Sequence, residues 1–196
     1  MSLLKQLHVV ELQGPYEGTC SRFLASLGAE VRYVDSAAEL LALAERADVI
    51  IESRGLPHVN VAARNPRLIH ATISAFGSYG PRAYYRGSEL VCSAMGGVLR
   101  LVGDPDRAPL KEALQACTFH AQAALAAAIS LACWERESSG RGQHIDVSVQ
   151  EVAASRLTNA VLSWQFDRRA LERSGNVLRY GRAAVRCMWE LRDGYV

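Results

Sequence analysis

Residues 29–52, AEVRYVDSAAELLALAERADVIIE, spell out a strand, a helix and a second strand. Ala29 to Asp35 alternate apolar and polar side chains, as a half-buried strand does. Ser36 is placed to cap a helix, with Glu39 at the reciprocal capping-box position. The helix runs through Arg46. After Asp48, Val49-Ile50-Ile51-Glu52 is a continuous apolar strand, of the kind buried between helices on both faces. Two strands joined through a helix lie parallel in one sheet.

The same alternation extends outward. His8 to Leu12 is a short β-rich run. Gly14 and Pro15 break it before a helical segment from Glu17 to Leu27, which Gly28 ends. Asn65-Pro66 is a turn, and Arg67 to Ser74 is the next strand. These alternations predict an α/β fold with a mainly parallel sheet and helices on both faces. Further on, Phe76 to Gly87 is a loop rich in Gly, Tyr and Arg, and a helix spans Ser88 to about Val98. Gly103-Asp104-Pro105-Asp106 is a turn. A long helix runs from Ala116 to Ser138 and stops at Ser139-Gly140-Arg141-Gly142. Gln143 to Val149 alternates as a strand, and Glu151 to Leu171 reads as one helix. Val185 to Leu191, Arg192-Asp193-Gly194 and Tyr195-Val196 look like a hairpin cut after its turn.

The bulk numbers exclude several classes. The chain has 196 residues, 49% of them hydrophobic and 21% charged, with a net charge of +2. That is an ordinary globular composition, too balanced for a nucleic-acid binder. Arg168, Arg169, Arg173, Arg179, Arg182 and Arg186 make the tail locally basic. Asp167 and Glu172 are interspersed, which reads as a solvated surface. Five cysteines are widely spaced with no C-x-x-C pair, so buried free thiols in a reducing cytoplasm are expected, without metal. The apolar run Ala121 to Trp134 falls short of a membrane span, and the N-terminus lacks the pattern of a signal peptide. No G-x-G-x-x-G follows the first strand, and neither a phosphate-binding loop nor H-E-x-x-H occurs. His8, His58, His70, His120 and His144 are scattered. Cys117 and His120 read as packing neighbours on one helix face.

A series of words in fixed order carries a specific signal. Gly28-Ala29-Glu30-Val31 and Ala47-Asp48-Val49-Ile50-Ile51-Glu52 come first. Asn65-Pro66-Arg67-Leu68-Ile69 leads into Ser74-Ala75-Phe76-Gly77-Ser78-Tyr79-Gly80-Pro81. Gly87-Ser88-Glu89-Leu90, Gly103-Asp104-Pro105 and Ser139-Gly140-Arg141-Gly142-Gln143 follow, and Ile145-Asp146-Val147-Ser148 closes the set. Over about Gly28 to Glu151 this order resembles the class III CoA-transferases, the group of carnitine CoA-transferase, formyl-CoA transferase and α-methylacyl-CoA racemase. The resemblance implies a Rossmann-like large domain covering residues 1–196, CoA thioester substrates and an interlocked dimer. It also implies a mechanism in which an aspartate carboxylate attacks an acyl-CoA thioester to form a mixed anhydride.

The resemblance also sets expectations for single residues. Counting back from Gly140-Arg141-Gly142-Gln143, the family aspartate falls on Thr118. A threonine nucleophile would form an ester in place of a reactive anhydride. The other reading makes Thr118 an N-cap that accepts backbone N–H groups. The racemase histidine falls on Ser88. Glu89 matches a helix-start carboxylate near the family nucleophile, and is also an ordinary first-turn glutamate. Arg86 sits where some members contact CoA. With Arg82, Tyr84 and Tyr85 it can offer charge and stacking to the nucleotide end of CoA, or it belongs to an exposed loop.

The family's long insertion after Asp35, with its basic stretch, is missing. The small domain and its glycine-rich flap are missing too, so the chain is expected to be a fragment or a shortened homologue. The expected function is that of a family protein without the catalytic aspartate. One alternative is a non-catalytic scaffold subunit or domain partnering an active homologue. Another is an acyl-CoA enzyme that uses Glu89. The expected assembly is a homodimer or a heterodimer with a related subunit. No tightly bound cofactor is expected; coenzyme A or acyl-CoA is the expected substrate, with neither nucleic acid nor membrane as partner.

Overall fold

The computed structural model describes residues 4–16, 18–53, 55–57, 61–180 and 183–195. The expected helix start at Glu17, the histidine at His58, Arg182 of the basic tail and Val196 of the final hairpin lie outside them. Five strands form the main sheet: β1 (His8–Leu12), β2 (Glu30–Val34), β3 (Val49–Glu52), β4 (Ile69–Ser74) and β5 (His144–Ser148). Their order is β2-β1-β3-β4-β5, and every neighbouring pair is parallel. This is the flavodoxin-type order of a doubly wound sheet, with its topological switch between β1 and β3.

Side-chain alternation along the strands builds two cores. Val9, Val49, Ile51, Ile69 and Ala71 pack on one face, under α1 (Thr19–Ser26) and the long helix. Val10, Leu12 and Ile50 pack on the other, under α2 (Ala37–Leu43). The Ser36 cap forms as expected, its side chain accepting the Glu39 N–H at 3.2 Å. Glu39 pairs with Arg32 at 2.9 Å. Farther along the sheet, polar residues replace part of the core. The buried Glu52 carboxylate accepts from Thr72 Oγ1 at 3.2 Å and lies 3.3 Å from His70 Nε2. It also accepts the Gly55 and Leu56 N–H groups, which fixes the chain as it leaves β3.

The second half of the chain adds α3 (Glu89–Met95), α4 (Val98–Leu101), α5 (Ala116–Ser139), α6 (Val149–Ser155) and α7 (Thr158–Asp167). The α5 helix has 24 residues, longer than its apolar run and long enough by length to cross a bilayer. Its inner face (Cys117, Ala121, Leu125, Ile129) is buried against the sheet, while Leu131 and Trp134 on its outer face are exposed. Near its end Arg136 pairs with Asp48 at 3.0 Å and donates to the carbonyls of Asp48 and Arg67, which ties α5 to the entry of β3 and β4. A left-handed Gly140 ends the helix where the sequence places a stop. At Gly142 the chain passes so close to β4 that a Cβ would lie 2.0 Å from the Leu68 carbonyl oxygen, so only glycine fits.

The single helix expected from Glu151 to Leu171 is two helices, broken at Arg156-Leu157. Ser148 caps the first, accepting the Glu151 N–H at 3.2 Å. The expected hairpin also divides. Arg192-Asp193 is its turn, between β8 (Glu190–Leu191) and β9 (Gly194–Tyr195), and a further hairpin joins β6 (Val177–Tyr180) to β7 (Ala183–Arg186). Exposed Val161, Trp164, Phe166, Val185 and Trp189 leave this arm with apolar surface.

Candidate functional site

In a sheet of this order, ligands bind outside the strands' carboxyl ends at the switch point, here the loops after Leu12 and Glu52. The two loops approach closely: a Cβ on Gly14 would lie 2.3 Å from Ser53 Oγ. Glu11, buried on β1, accepts the Gly18 N–H at 2.9 Å. Gln122 of α5 accepts the Cys20 N–H at 2.8 Å and donates to the Tyr16 carbonyl. These bonds hold the loop after β1 against the first turns of α5. Between them opens a cleft of about 360 Å³, lined by Pro15, Tyr16, Thr19, Leu114, Thr118 and Phe119 among others.

The N-terminus of α5 has an unusual cap. Gln115 precedes the helix and makes no side-chain capping bond. The cap comes from Glu89, the first residue of α3. Its carboxylate accepts the Cys117 N–H at 2.7 Å, the Thr118 N–H at 3.0 Å and the Thr118 hydroxyl at 2.7 Å. Thr118 is therefore not the N-cap. It stands inside the helix and its hydroxyl donates, because a longer acid from a neighbouring helix already takes the exposed N–H groups. Ser88 caps α3 by accepting the Val91 N–H at 3.4 Å.

Burial acts to raise the Glu89 carboxyl's pKa, but the bonds from Thr118 and Cys117 outweigh it and hold the group below its ordinary value. Glu89 is thus an anion at neutral pH. The opposite holds for its neighbours. Burial first, then the Cys92 and Glu89 charges, push the Tyr16 phenol up to about 12. Burial and Glu89 push the Cys92 thiol up to about 11. Burial and Glu89 also raise Cys117, against the lowering effects of Ser93 and Arg156. Both thiols stay protonated at neutral pH, which makes them poor nucleophiles. Beside them Arg156 holds Glu112 through two 2.7 Å bonds, with its Nη1 3.8 Å from Cys117 Sγ.

The fold brings together Thr118 and Glu89 of the residues singled out in the sequence. It does not bring Arg82, Tyr84, Tyr85 and Arg86 to the cleft. They lie on the exposed loop before α3, where Tyr84 is 96% exposed and Tyr85 meets Phe76 edge-on at 6.3 Å. Cys117 and His120, three positions apart on α5, differ in exposure. Cys117 is fully buried, whereas His120 is exposed, lines the cleft and places Nδ1 2.6 Å from the Ala116 carbonyl oxygen. Among the described residues, no cluster of His, Cys, Asp or Glu is arranged to hold a metal ion.

The family model for CoA-transferase family III matches residues 32–196. The chain belongs to CoA-transferase family III. A succinate–glutarate CoA-transferase of Agrobacterium fabrum is 28% identical over 173 residues, covering 84% of this chain and 43% of that protein. The subunit BbsE of the succinyl-CoA:(R)-benzylsuccinate CoA-transferase of Thauera aromatica is 34% identical over 166 residues, covering 79% of this chain and 38% of its own. The crystal structure of a CAIB/BAIF family protein from Brucella suis superimposes with a TM-score of 0.87 at 25% identity, over 99% of this chain and 65% of that one. The chain thus spans less than half the length of these two curated relatives. The family and the parallel α/β fold expected from the sequence both hold.

Tyr16, Gln122 and the Arg156–Glu112 pair were not singled out in the sequence. The first had a usable signal: the residues after the first strand of a doubly wound sheet belong to the switch point. The others did not, because partners 102, 106 and 44 positions apart leave no local pattern.

Proposed function

We propose that this chain is a non-catalytic member of the acyl-CoA:carboxylate CoA-transferase family that acts as scaffold beside a related subunit carrying the nucleophile. The observation that supports it is the bond from Thr118 to Glu89. The aspartate position holds a hydroxyl, and that hydroxyl is spent as a donor to a carboxylate. Nucleophile and base stand at catalytic distance in such a pair. The same three bonds that hold Glu89 in place depress its pKa and make it a weak base. They also occupy the carboxylate oxygens that would have to attack a thioester if Glu89 were the nucleophile. That one relative is named as a subunit of its transferase supports the two-subunit form, as does the apolar surface of the C-terminal arm.

Trapping tests this. The purified chain is incubated with a panel of short and medium acyl-CoA thioesters, and the products are read by intact mass, with and without hydroxylamine. The expected result is no covalent acyl adduct and no release of CoA above background. An adduct on Thr118 or Glu89 that turns over would falsify the assignment.

Affinity for CoA is expected to be weak. Arg82, Arg86, Tyr84 and Tyr85 are exposed, and exposed ion-pair and cation–π contacts contribute about 0.5–1 kcal/mol each. Two or three of them barely exceed the cost of fixing a flexible ligand, which places dissociation in roughly the high-micromolar range or above. Calorimetry with CoA on the chain and on Arg86→Ala checks this. Submicromolar binding, or binding indifferent to Arg86, would mean that the loop is not the nucleotide contact.

A further inference from the structure

The geometry points to a second cleft as a binding site for a small carboxylate with an apolar body. This cleft, of about 260 Å³, lies between the α6–α7 junction and the segment leading into β6. Leu101, Leu157 and Leu178 supply apolar wall, and Arg156, Arg169 and Arg173 supply positive charge. It shares no lining residue with the switch-point cleft, and its assignment does not rest on the reading of Thr118.

The three arginines are held differently. Arg156 is committed to Glu112. Arg173 donates Nε to the Asp104 carbonyl at 3.2 Å, Nη1 to the Arg100 carbonyl at 3.0 Å and Nη2 to the Arg107 carbonyl at 3.2 Å. Three carbonyls fix the plane of the guanidinium without cancelling its charge. A guanidinium carries five N–H groups, so donors remain for a ligand. Among the described residues, neither Arg173 nor Arg169 has a carboxylate at ion-pair distance. Glu172 in the lining offsets only part of this charge.

A half-buried cation fixed beforehand loses little freedom when an anion arrives. Its planar fork matches a carboxylate, which can take two parallel N–H bonds. The leucine walls then ask for a hydrocarbon body. The volume lies at or below the lower end of the roughly 300–1,000 Å³ range of drug-sized pockets, so the ligand is a short-chain or single-ring acid. A whole CoA is too large, and a bare phosphate leaves the apolar wall unused.

The test is calorimetry of the full-length protein, in the assembly in which it purifies, with hexanoate, hexanamide and inorganic phosphate. Hexanoate is expected to bind at least about tenfold more tightly than either of the others, and Arg169→Ala to weaken it by about twofold to fivefold, because Arg169 is exposed. Arg32→Ala removes the same charge from β2, far from the cleft, and is expected to change nothing. Arg173→Lys keeps the charge but cannot span three carbonyls, and is expected to weaken binding as well. Should that variant fail to fold, Arg169→Ala decides alone. Equal binding of hexanoate and hexanamide overturns the assignment, as does no binding of hexanoate or an equal effect of Arg169→Ala and Arg32→Ala.

Discussion

Replacing Glu89 with alanine is expected to destabilise the protein by about 2–4 kcal/mol, because it strands two helix N–H groups and the Thr118 hydroxyl together. An ordinary side-chain cap is worth about 1 kcal/mol. Glu89 does more, since one carboxylate serves three donors and α5 has no cap of its own. For a chain of this size the loss corresponds to a fall in melting temperature of roughly 5–15 °C. Glu89→Gln retains an acceptor but loses the charge and turns an amide toward one donor, so its loss should be intermediate. Thermal melts of both variants check the ranking. If Glu89→Ala melts with the parent, the cap does not hold the helix.

The same carboxylate fixes a pH dependence. Its pKa in the folded protein lies below the ordinary value, so the folded state binds this proton less readily than the unfolded chain. The stability Glu89 contributes is fully present above the unfolded value of about 4.3. It is lost as pH falls through the lower folded value. Glu89→Ala should therefore flatten the acid limb of the stability curve.

How much of this was legible in the sequence follows from the range of each interaction. The β1–β4 alternation, the Ser36 cap and the Gly140 stop are local, set by periodicity and turn chemistry within a few residues, and they appear where expected. The order of the family words pointed to the right family for the same reason. The break at Arg156-Leu157 was not legible. Periodicity over Glu151 to Leu171 favours one helix, while the structure draws the Arg156 side chain to Glu112, 44 positions earlier. Thr118 was read as a cap, and it is not one. The group that caps the helix lies 29 positions upstream on another helix, and a threonine near a helix start looks the same whether it accepts or donates.

That geometry makes Thr118→Asp the most informative single change. The substitution puts a second carboxylate where the hydroxyl now sits 2.7 Å from the Glu89 oxygen. Two carboxylates that close cannot both be ionised without a large mutual cost, so one pKa rises steeply. At neutral pH the variant is expected to be less stable than the parent by about 1–3 kcal/mol, from repulsion and the lost hydroxyl donor. The sign of its pH dependence reverses. A carboxyl whose folded pKa is raised above the unfolded value favours the folded state when protonated. The variant is therefore least impaired below about pH 4 and loses stability as pH rises toward the raised value. Parent and variant curves of stability against pH should converge in acid and separate as pH rises. Transferase turnover is not expected to appear, because two carboxylates in contact share a proton at neutral pH, which leaves a poor nucleophile for a thioester. Denaturant melts from pH 4 to 8, run beside the acyl-CoA trapping assay, decide both halves. Parallel curves would place the new carboxylate away from Glu89. Turnover by the variant would show that one side chain separates this chain from an active transferase.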